Sequence, residues 1–188
     1  KLGKYNIHLG SGYVAPIAPT NGNGGTYAPA TSASRIKFPK STGASVNIHY
    51  ALHNRGGGWN DVVTNFDDST SEGFAGVPYG SHDMLIAWVD SGTLMYRVHT
   101  KESGWLDYVQ TANYGDSVNG MAGLWGQTID GVKMYYITPS GEYKQVYYRS
   151  QDVAHPDYHD EVCDDGTTYG GDDYAGIYGY ALDRLQCY

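Results

Sequence analysis

Basic side chains are scarce in this chain: 12 Lys and Arg stand against 20 Asp and Glu in 188 residues, a formal charge of −8. Nucleic acids and anionic membrane surfaces are bound by displacing counterions from phosphates, and little here could do that. Long apolar runs are missing as well, so nothing approaches the roughly 20 residues of a membrane-crossing helix. Lys1 begins no signal peptide, and the chain reads as a soluble, processed piece of a secreted protein. Cysteine occurs twice, as Cys163 and Cys187. In an exported protein the expected state of such a pair is a disulfide, the alternative being two buried thiols in a reduced one. His-Glu-x-x-His, Cys-x-x-Cys and Gly-x-Ser-x-Gly are all absent, which removes the familiar metal and nucleophile motifs. No segment has the period of an amphipathic helix. Glycine and tyrosine are plentiful instead, 26 and 19 residues, a profile that suits short strands and many turns.

The strongest positive signal is repetition. "GMAGLWGQTIDGVKMYY" from Gly120 aligns with "GFAGVPYGSHDMLIAWV" from Gly73 and "DYAGIYGYALDRLQCY" from Asp173. Ala75, Ala122 and Ala175 correspond, and eight residues after each comes an acid, Asp83, Asp130 or Asp183. The chain is a threefold internal repeat, with units of about 50 residues. Residues 1–33 read as an N-terminal strand and a Pro/Gly/Ser/Thr-rich linker, and 34–188 as the repeated domain. Each unit is expected to open with a hairpin: "RIKFPKSTGASVNIHYALHN", "MLIAWVDSGTLMYRVHTKE" and "VKMYYITPSGEYKQVYYRSQ" each place two β-rich runs around a Gly-containing turn. A third run and the Ala-Gly element complete four strands per unit, and the final "RLQCY" is expected to pair back with the start and close a ring. The predicted fold is all-β, a β-trefoil, because threefold closure removes the sheet edges. A three-bladed assembly of small β modules is the runner-up, and a β-sandwich comes third.

Corresponding positions carry the candidate chemistry. Tyr50, Tyr96 and Tyr148 match, and so do His53 and His99, with Gln151 in the third copy. Trp59, Trp105 and Tyr158 follow, each with an acid two residues on: Asp61, Asp107 and Asp160. Val63, Val109 and Val162, with Leu85, Val132 and Leu185, are the expected core layers. The tryptophans could cap that core, or they could stack on the C–H face of a sugar while a nearby acid takes its hydroxyls. The binding reading takes Trp59, Trp105 and Tyr158 as stacking residues and Asp61, Asp107 and Asp160 as hydroxyl contacts. Phe66, Tyr114 and Tyr169 in the loops are second choices. Three weak sites on one body would give avidity on a polymer. Asp83, Asp130 and Asp183 are expected to accept backbone N–H groups at turns, and the Ala-Gly pairs to let two backbones approach.

No metal or other cofactor is expected. In "HPDYH", His155 and His159 are four apart, but Pro156 argues against the helix that would align them. "DDGTTYGGDD", from Asp164, lacks the spacing of a calcium loop and reads as solvated.

The second copy, "YRVHTKESGWLDYVQT...NGMAGLWGQTIDGVKMYY", resembles the clostridial hydrophobic repeats with a conserved tryptophan. Their pattern runs His, Gly-Trp, Gly-x-x-Ala-Gly-x-x-Gly and an acid before a last β-run. The matching residues are His99, Gly104, Trp105, Gly120, Ala122, Gly123, Gly126 and Asp130. The first copy keeps His53, Gly58, Trp59, Ala75, Gly76 and Asp83, with the later glycine one place along at Gly80. The third keeps Ala175, Gly176, Gly179 and Asp183 and lacks both the His and the Gly-Trp, which weighs against an equal third site. The resemblance implies a noncatalytic, monomeric, secreted module that binds bacterial cell-wall polysaccharide or peptidoglycan and targets a bacteriolytic enzyme to it. The alternative is a protein-binding trefoil, such as a protease inhibitor or a surface adhesion module. No Gln-x-Trp signature points to a ricin-type lectin.

Overall fold

A computed structural model of the chain describes residues 45–66, 73–166 and 172–188. The expected N-terminal strand, the linker and the first strand of the repeated domain, all within 1–44, lie outside these residues. The regular structure described is entirely β: β1 (Ile48–Asn54), β2 (Val63–Thr64), β3 (Ala75–Gly76), β4 (His82–Val89), β5 (Thr93–Thr100), β6 (Gly104–Trp105), β7 (Ala122–Gly123), β8 (Ile129–Ile137), β9 (Tyr147–Asp152), β10 (Val162–Cys163), β11 (Ala175–Gly176) and β12 (Leu182–Cys187). They form three four-stranded antiparallel sheets, ordered β2-β1-β4-β7, β6-β5-β8-β11 and β10-β9-β12-β3. β5 shows why: Leu94, Tyr96, Val98 and Thr100 are buried while the residues between them are half-exposed, the alternation of a strand with one face on a core.

The second and third expected hairpins do not form, and the first arm of the first lies outside the described residues. The chain reverses at Asp90–Gly92, yet β4 pairs with β1, Tyr50 opposite Ala87, and β5 pairs with β8, Tyr96 opposite Met134. The turn carries the chain around a corner from one sheet to the next. Both arms present apolar residues inward, Leu85 and Ala87 on one and Leu94, Tyr96 and Val98 on the other, and all of them join a single core. A Gly-marked reversal between two β-rich runs is compatible with pairing or with such a corner, and burial in the shared core decides it.

Counted from the first described strand as β1–β4, β5–β8 and β9–β12, the repeats are tied together by exchange. β7 of the second repeat pairs with β4, β11 of the third with β8, and β3 of the first with β12. The last strand therefore does close the ring, through Ala75–Gly76. The backbones meet very closely there: a Cβ on Gly76, Gly123 or Gly176 would lie 2.2, 2.1 or 2.3 Å from the carbonyl oxygen of Asp183, Asp83 or Asp130. Their φ angles of 114°, 131° and 131° are also closed to most L residues. Small residues were expected at this approach for that reason.

At the centre, Tyr50, Tyr96 and Tyr148 are fully buried. Each hydroxyl donates to a carbonyl of its own repeat, Asn65 at 3.0 Å, Thr111 at 2.8 Å and Asp164 at 2.6 Å. Each also receives an amide from another sheet, that of Cys187 and Met134 at 3.1 Å in the first and third cases and that of Ala87 in the second. Burial pushes all three phenols far above their ordinary pKa. The expected valines and leucines join the same core, with Val63 at its margin.

The disulfide is not formed; both cysteines are free. Cys163 on β10 and Cys187 on β12 flank β9 on opposite sides, opposite Tyr147 and Tyr148. Two strand spacings are roughly 10 Å, beyond the approximately 7 Å that a disulfide tolerates between Cα atoms. Burial raises the Cys163 thiol to about 12, and the Cys187 sulfur rests 4.0 Å from that of Met134.

Asp164 is a weak point of this core. Its Oδ1 accepts the amides of Tyr136 and Val146, both at 3.2 Å, yet burial still raises its pKa to about 6. The first repeat places Asn65 at the equivalent position, with the same left-handed backbone, φ 54° against 47°, and the same Oδ1 acceptance from Ile48. An acid whose folded pKa lies above its unfolded value costs stability as pH rises between the two, and the loss is complete above the folded pKa. Asp164→Asn keeps the acceptor and removes the charge. It is expected to stabilise the domain by about 1–3 kcal/mol at pH 8 and to give no gain at pH 4, as thermal melts of both proteins at the two pH values would read. An equal gain at pH 4 would rule out the charge as the cause.

Candidate functional site: two aromatic clusters on buried His–Asp pairs

In each long strand pair the ladder skips one residue, and the skipped residue is the repeated acid. His53 is opposite Met84 and Asn54 opposite His82, which leaves Asp83 unpaired; Asp130 and Asp183 are passed over in the same way. A bulge of this kind re-aims its side chain, and here it aims a buried carboxylate at the turn after another repeat's Ala-Gly strand. Asp83 Oδ2 accepts the Gly126 amide at 2.8 Å, Asp130 that of Gly179 at 2.7 Å, and Asp183 that of Tyr79 at 2.8 Å. The turn-capping role expected of these acids is present, across the repeat boundary.

The second oxygen separates the copies. Asp83 Oδ1 holds His53 Nδ1 at 2.7 Å and Asp130 Oδ1 holds His99 Nδ1 at 2.5 Å. With Nδ1 donating to a carboxylate, the neutral imidazole keeps Nε2 as an acceptor. Asp183 Oδ1 meets Arg184 Nε at 3.3 Å, and Gln151 stands where the others have histidine.

Aromatic rings gather on each histidine. In the first cluster Trp59 and Trp125 meet His53 edge-on at 5.3 and 4.7 Å, and Tyr114 meets Trp59 at 4.9 Å. In the second, Trp105 meets His99 at 5.3 Å, Tyr178 stacks on it at 4.2 Å, and Tyr174 stacks on Tyr178 at 4.8 Å. Trp105 Nε1 donates to the Tyr178 hydroxyl at 2.8 Å. Trp125 and Tyr178 correspond, each one residue before the glycine whose amide the aspartate holds. The strand exchange thus carries one repeat's aromatic onto its neighbour's histidine. Trp125 is 54% exposed and Tyr178 47%, so the rings form a surface.

Cations border the second cluster. The Arg97 guanidinium lies 4.8 Å from the Trp105 ring and 4.5 Å from that of Tyr108, and Lys133 is 5.3 Å from Trp105. The third repeat has a different group. Its Tyr158 lies 4.7 Å from Arg149, which also covers Phe66 at 5.3 Å, and Phe66 packs on Tyr188 at 4.9 Å. Pro78 and Tyr79 occupy its donated turn, with Tyr79 83% exposed.

Of the expected site residues, Trp59, Trp105 and Tyr114 enter the two clusters, and Tyr158 and Phe66 enter the third group. Asp61, Asp107 and Asp160 are exposed and take no part in the ring contacts or hydrogen bonds just described. The carboxylates that serve the clusters are Asp83 and Asp130. Tyr169 lies outside the described residues. Reading the sequence did not single out His53, His99, Trp125, Tyr174 or Tyr178 as site residues. The signal for Trp125 and Tyr178 is an aromatic three residues after the Ala in two copies, a place that Pro78 takes in the first.

The "HPDYH" segment also departs from expectation. Without any helix, His155 Nδ1 and His159 Nε2 both come to 2.8 Å from Asp152 Oδ2.

Comparison with family models, with curated proteins and with solved structures gave no match.

Proposed function

We propose that the domain is a noncatalytic, secreted module that binds bacterial cell-wall polysaccharide or peptidoglycan. The observation that carries the reading is the pair of equivalent, half-exposed aromatic clusters, each locked to a histidine and a buried aspartate. Stacked and edge-on rings suit the C–H faces of sugars, while histidine Nε2 and tyrosine hydroxyls suit their polar edges. Rigid placement limits the entropy lost on binding, and two sites on one body bind a polymer with avidity. The resemblance to the clostridial repeats rests on residues that make up these clusters: His53 with Trp59, Asp83 and Gly126, and His99 with Trp105, Asp130 and Gly179. The β-trefoil is kept as the finer reading of the fold, supported by the three four-stranded units and their cyclic closure.

The test is retention on purified cell walls. Trp125→Ala and Tyr178→Ala each remove an exposed ring at a turn tip, and each is expected to weaken retention about 10-fold, or 1.4 kcal/mol. The double variant is expected to lose avidity altogether, with the thermal midpoint within a degree or two of the parent. Retention of the double variant equal to the parent's would reject the reading. Release of soluble fragments from the walls by the parent chain would show an enzyme instead.

A further inference from the structure

We propose that Asp152, His155 and His159 form a binding site for a divalent transition metal of the zinc type. The site is distinct from the aromatic clusters and does not depend on the glycan reading. It occupies the loop that follows β9, where the first two repeats have the residues leading to Trp59 and Trp105.

Three observations support it. The first is the donor set. Asp152 Oδ2, His155 Nδ1 and His159 Nε2 lie within 4.8 Å of one another, and two imidazoles with one carboxylate suit zinc and its neighbours better than calcium or magnesium. The second is that the carboxylate is held in place beforehand. Asp152 is buried, and its Oδ1 accepts the amides of Ala154 at 2.8 Å and His155 at 3.1 Å, so the short turn after β9 fixes the direction of Oδ2. The third is the bracing of the backbone between the histidines. The buried amide of Gln151 donates to the carbonyls of His155 at 3.1 Å and Pro156 at 2.8 Å, and the His159 amide is pinned to the Ser150 carbonyl at 2.9 Å. Gln151 stands where the other repeats place their ring-bearing histidine, and here it supports a pair of histidines instead.

The distances reach a metal geometry through side-chain movement, the two histidine nitrogens, within 4.8 Å of each other, closing toward the ion while their contacts to Asp152 open. Ligand atoms about 2.05 Å from a tetrahedral zinc are about 3.3 Å apart, so the two 2.8 Å contacts to Asp152 Oδ2 would open by roughly 0.5 Å. Metal binding displaces the N–H that each imidazole now directs at the carboxylate: a neutral ring keeps that proton on its other nitrogen, and an imidazolium releases it to solvent. The His155 side chain is 44% exposed and that of His159 21%, so a fourth position is left to water or to an oxygen of a ligand.

The test uses the whole chain after chelator treatment, titrated with Zn²⁺ by calorimetry, with Co²⁺ as a spectroscopic probe. The expected result is one Zn²⁺ per chain at micromolar affinity or tighter, a thermal midpoint raised by several degrees in excess Zn²⁺, and the visible absorption of four-coordinate Co²⁺. The His155→Gln/His159→Gln variant is expected to keep the metal-free midpoint of the parent and to lose at least 100-fold in Zn²⁺ affinity. His155→Gln alone, at the more exposed position, gives the same reading if the double variant does not fold. Undiminished Zn²⁺ affinity in these variants would overturn the proposal, and so would a parent chain whose midpoint and Co²⁺ spectrum do not respond to metal.

Discussion

Gly123→Ala is expected to unfold the domain at ordinary temperature. The new methyl would lie 2.1 Å from the Asp83 carbonyl oxygen and 2.9 Å from the Met84 Cα, and both are backbone atoms of a strand buried in the centre of its sheet. No rotamer change relieves such a contact; either β7 leaves β4 or the β1–β4 ladder bends. A φ of 131° adds strain of about 1–3 kcal/mol. Together these place the substitution among the few that cost more than about 4 kcal/mol, against a typical domain stability of about 5–15 kcal/mol. Gly126→Ala is the matched control. Its φ of 80° is also positive, but a Cβ there meets nothing within 4 Å, so it is expected to cost only the left-handed penalty of about 1–2 kcal/mol. Chemical denaturation of the two variants separates close approach from backbone strain. A Gly123→Ala midpoint similar to that of Gly126→Ala would show that β7 does not hold the sheets together.

Asp130→Ala is expected to produce the second largest loss, and one that reaches both stability and binding. It leaves the Gly179 amide and His99 Nδ1 without their acceptor. Both bonds are part-buried, and a group orphaned there costs about 1–2 kcal/mol, below the full buried penalty, so a loss of about 2–4 kcal/mol is expected. The turn that carries Tyr178 is no longer held over His99, and wall retention is expected to fall about 10-fold, as for Tyr178→Ala, an affinity change of 1.4 kcal/mol. Asp83→Ala is expected to act alike on the first cluster. Asp183→Ala, whose second oxygen meets Arg184 at 3.3 Å in place of a histidine, is expected to cost less than either. Urea midpoints of the three variants give the order directly. An Asp183→Ala midpoint below the other two would mean that the histidine pairs add nothing beyond turn capping.

Much of this was legible in the sequence because it repeats. The constant spacing from Ala75, Ala122 and Ala175 to their acids marks a bulge and the turn it caps, since both need one residue type at one register. The three tyrosines were visible for the same reason, as were the core valines. Strand partners were not legible. The reversals at Asp90–Gly92 and Pro139–Gly141 look like hairpin turns locally, and only burial of both arms in a shared centre decides that they are corners. Long-range neighbours escaped notice too. His53 and Asp83 are 30 residues apart and His99 and Asp130 are 31 apart, so no local pattern links them. Pro156 excludes the helix that would align histidines four apart, but a helix is not the only way to bring them together. Asp152, just outside that window, supplies a geometry that the spacing does not contain.

The exchange of Ala-Gly strands bears on how the chain reaches this state during synthesis. β7 and β11 follow β4 and β8, so each finds its partner already made when it emerges. β3 must wait more than a hundred residues for β12. Until then the first repeat keeps an open strand edge, which favours association with other nascent chains. The long-range pairing of β12 with β3 is thus the contact of highest sequence separation among the exchanged strands, the kind whose loop closure is entropically most expensive to form.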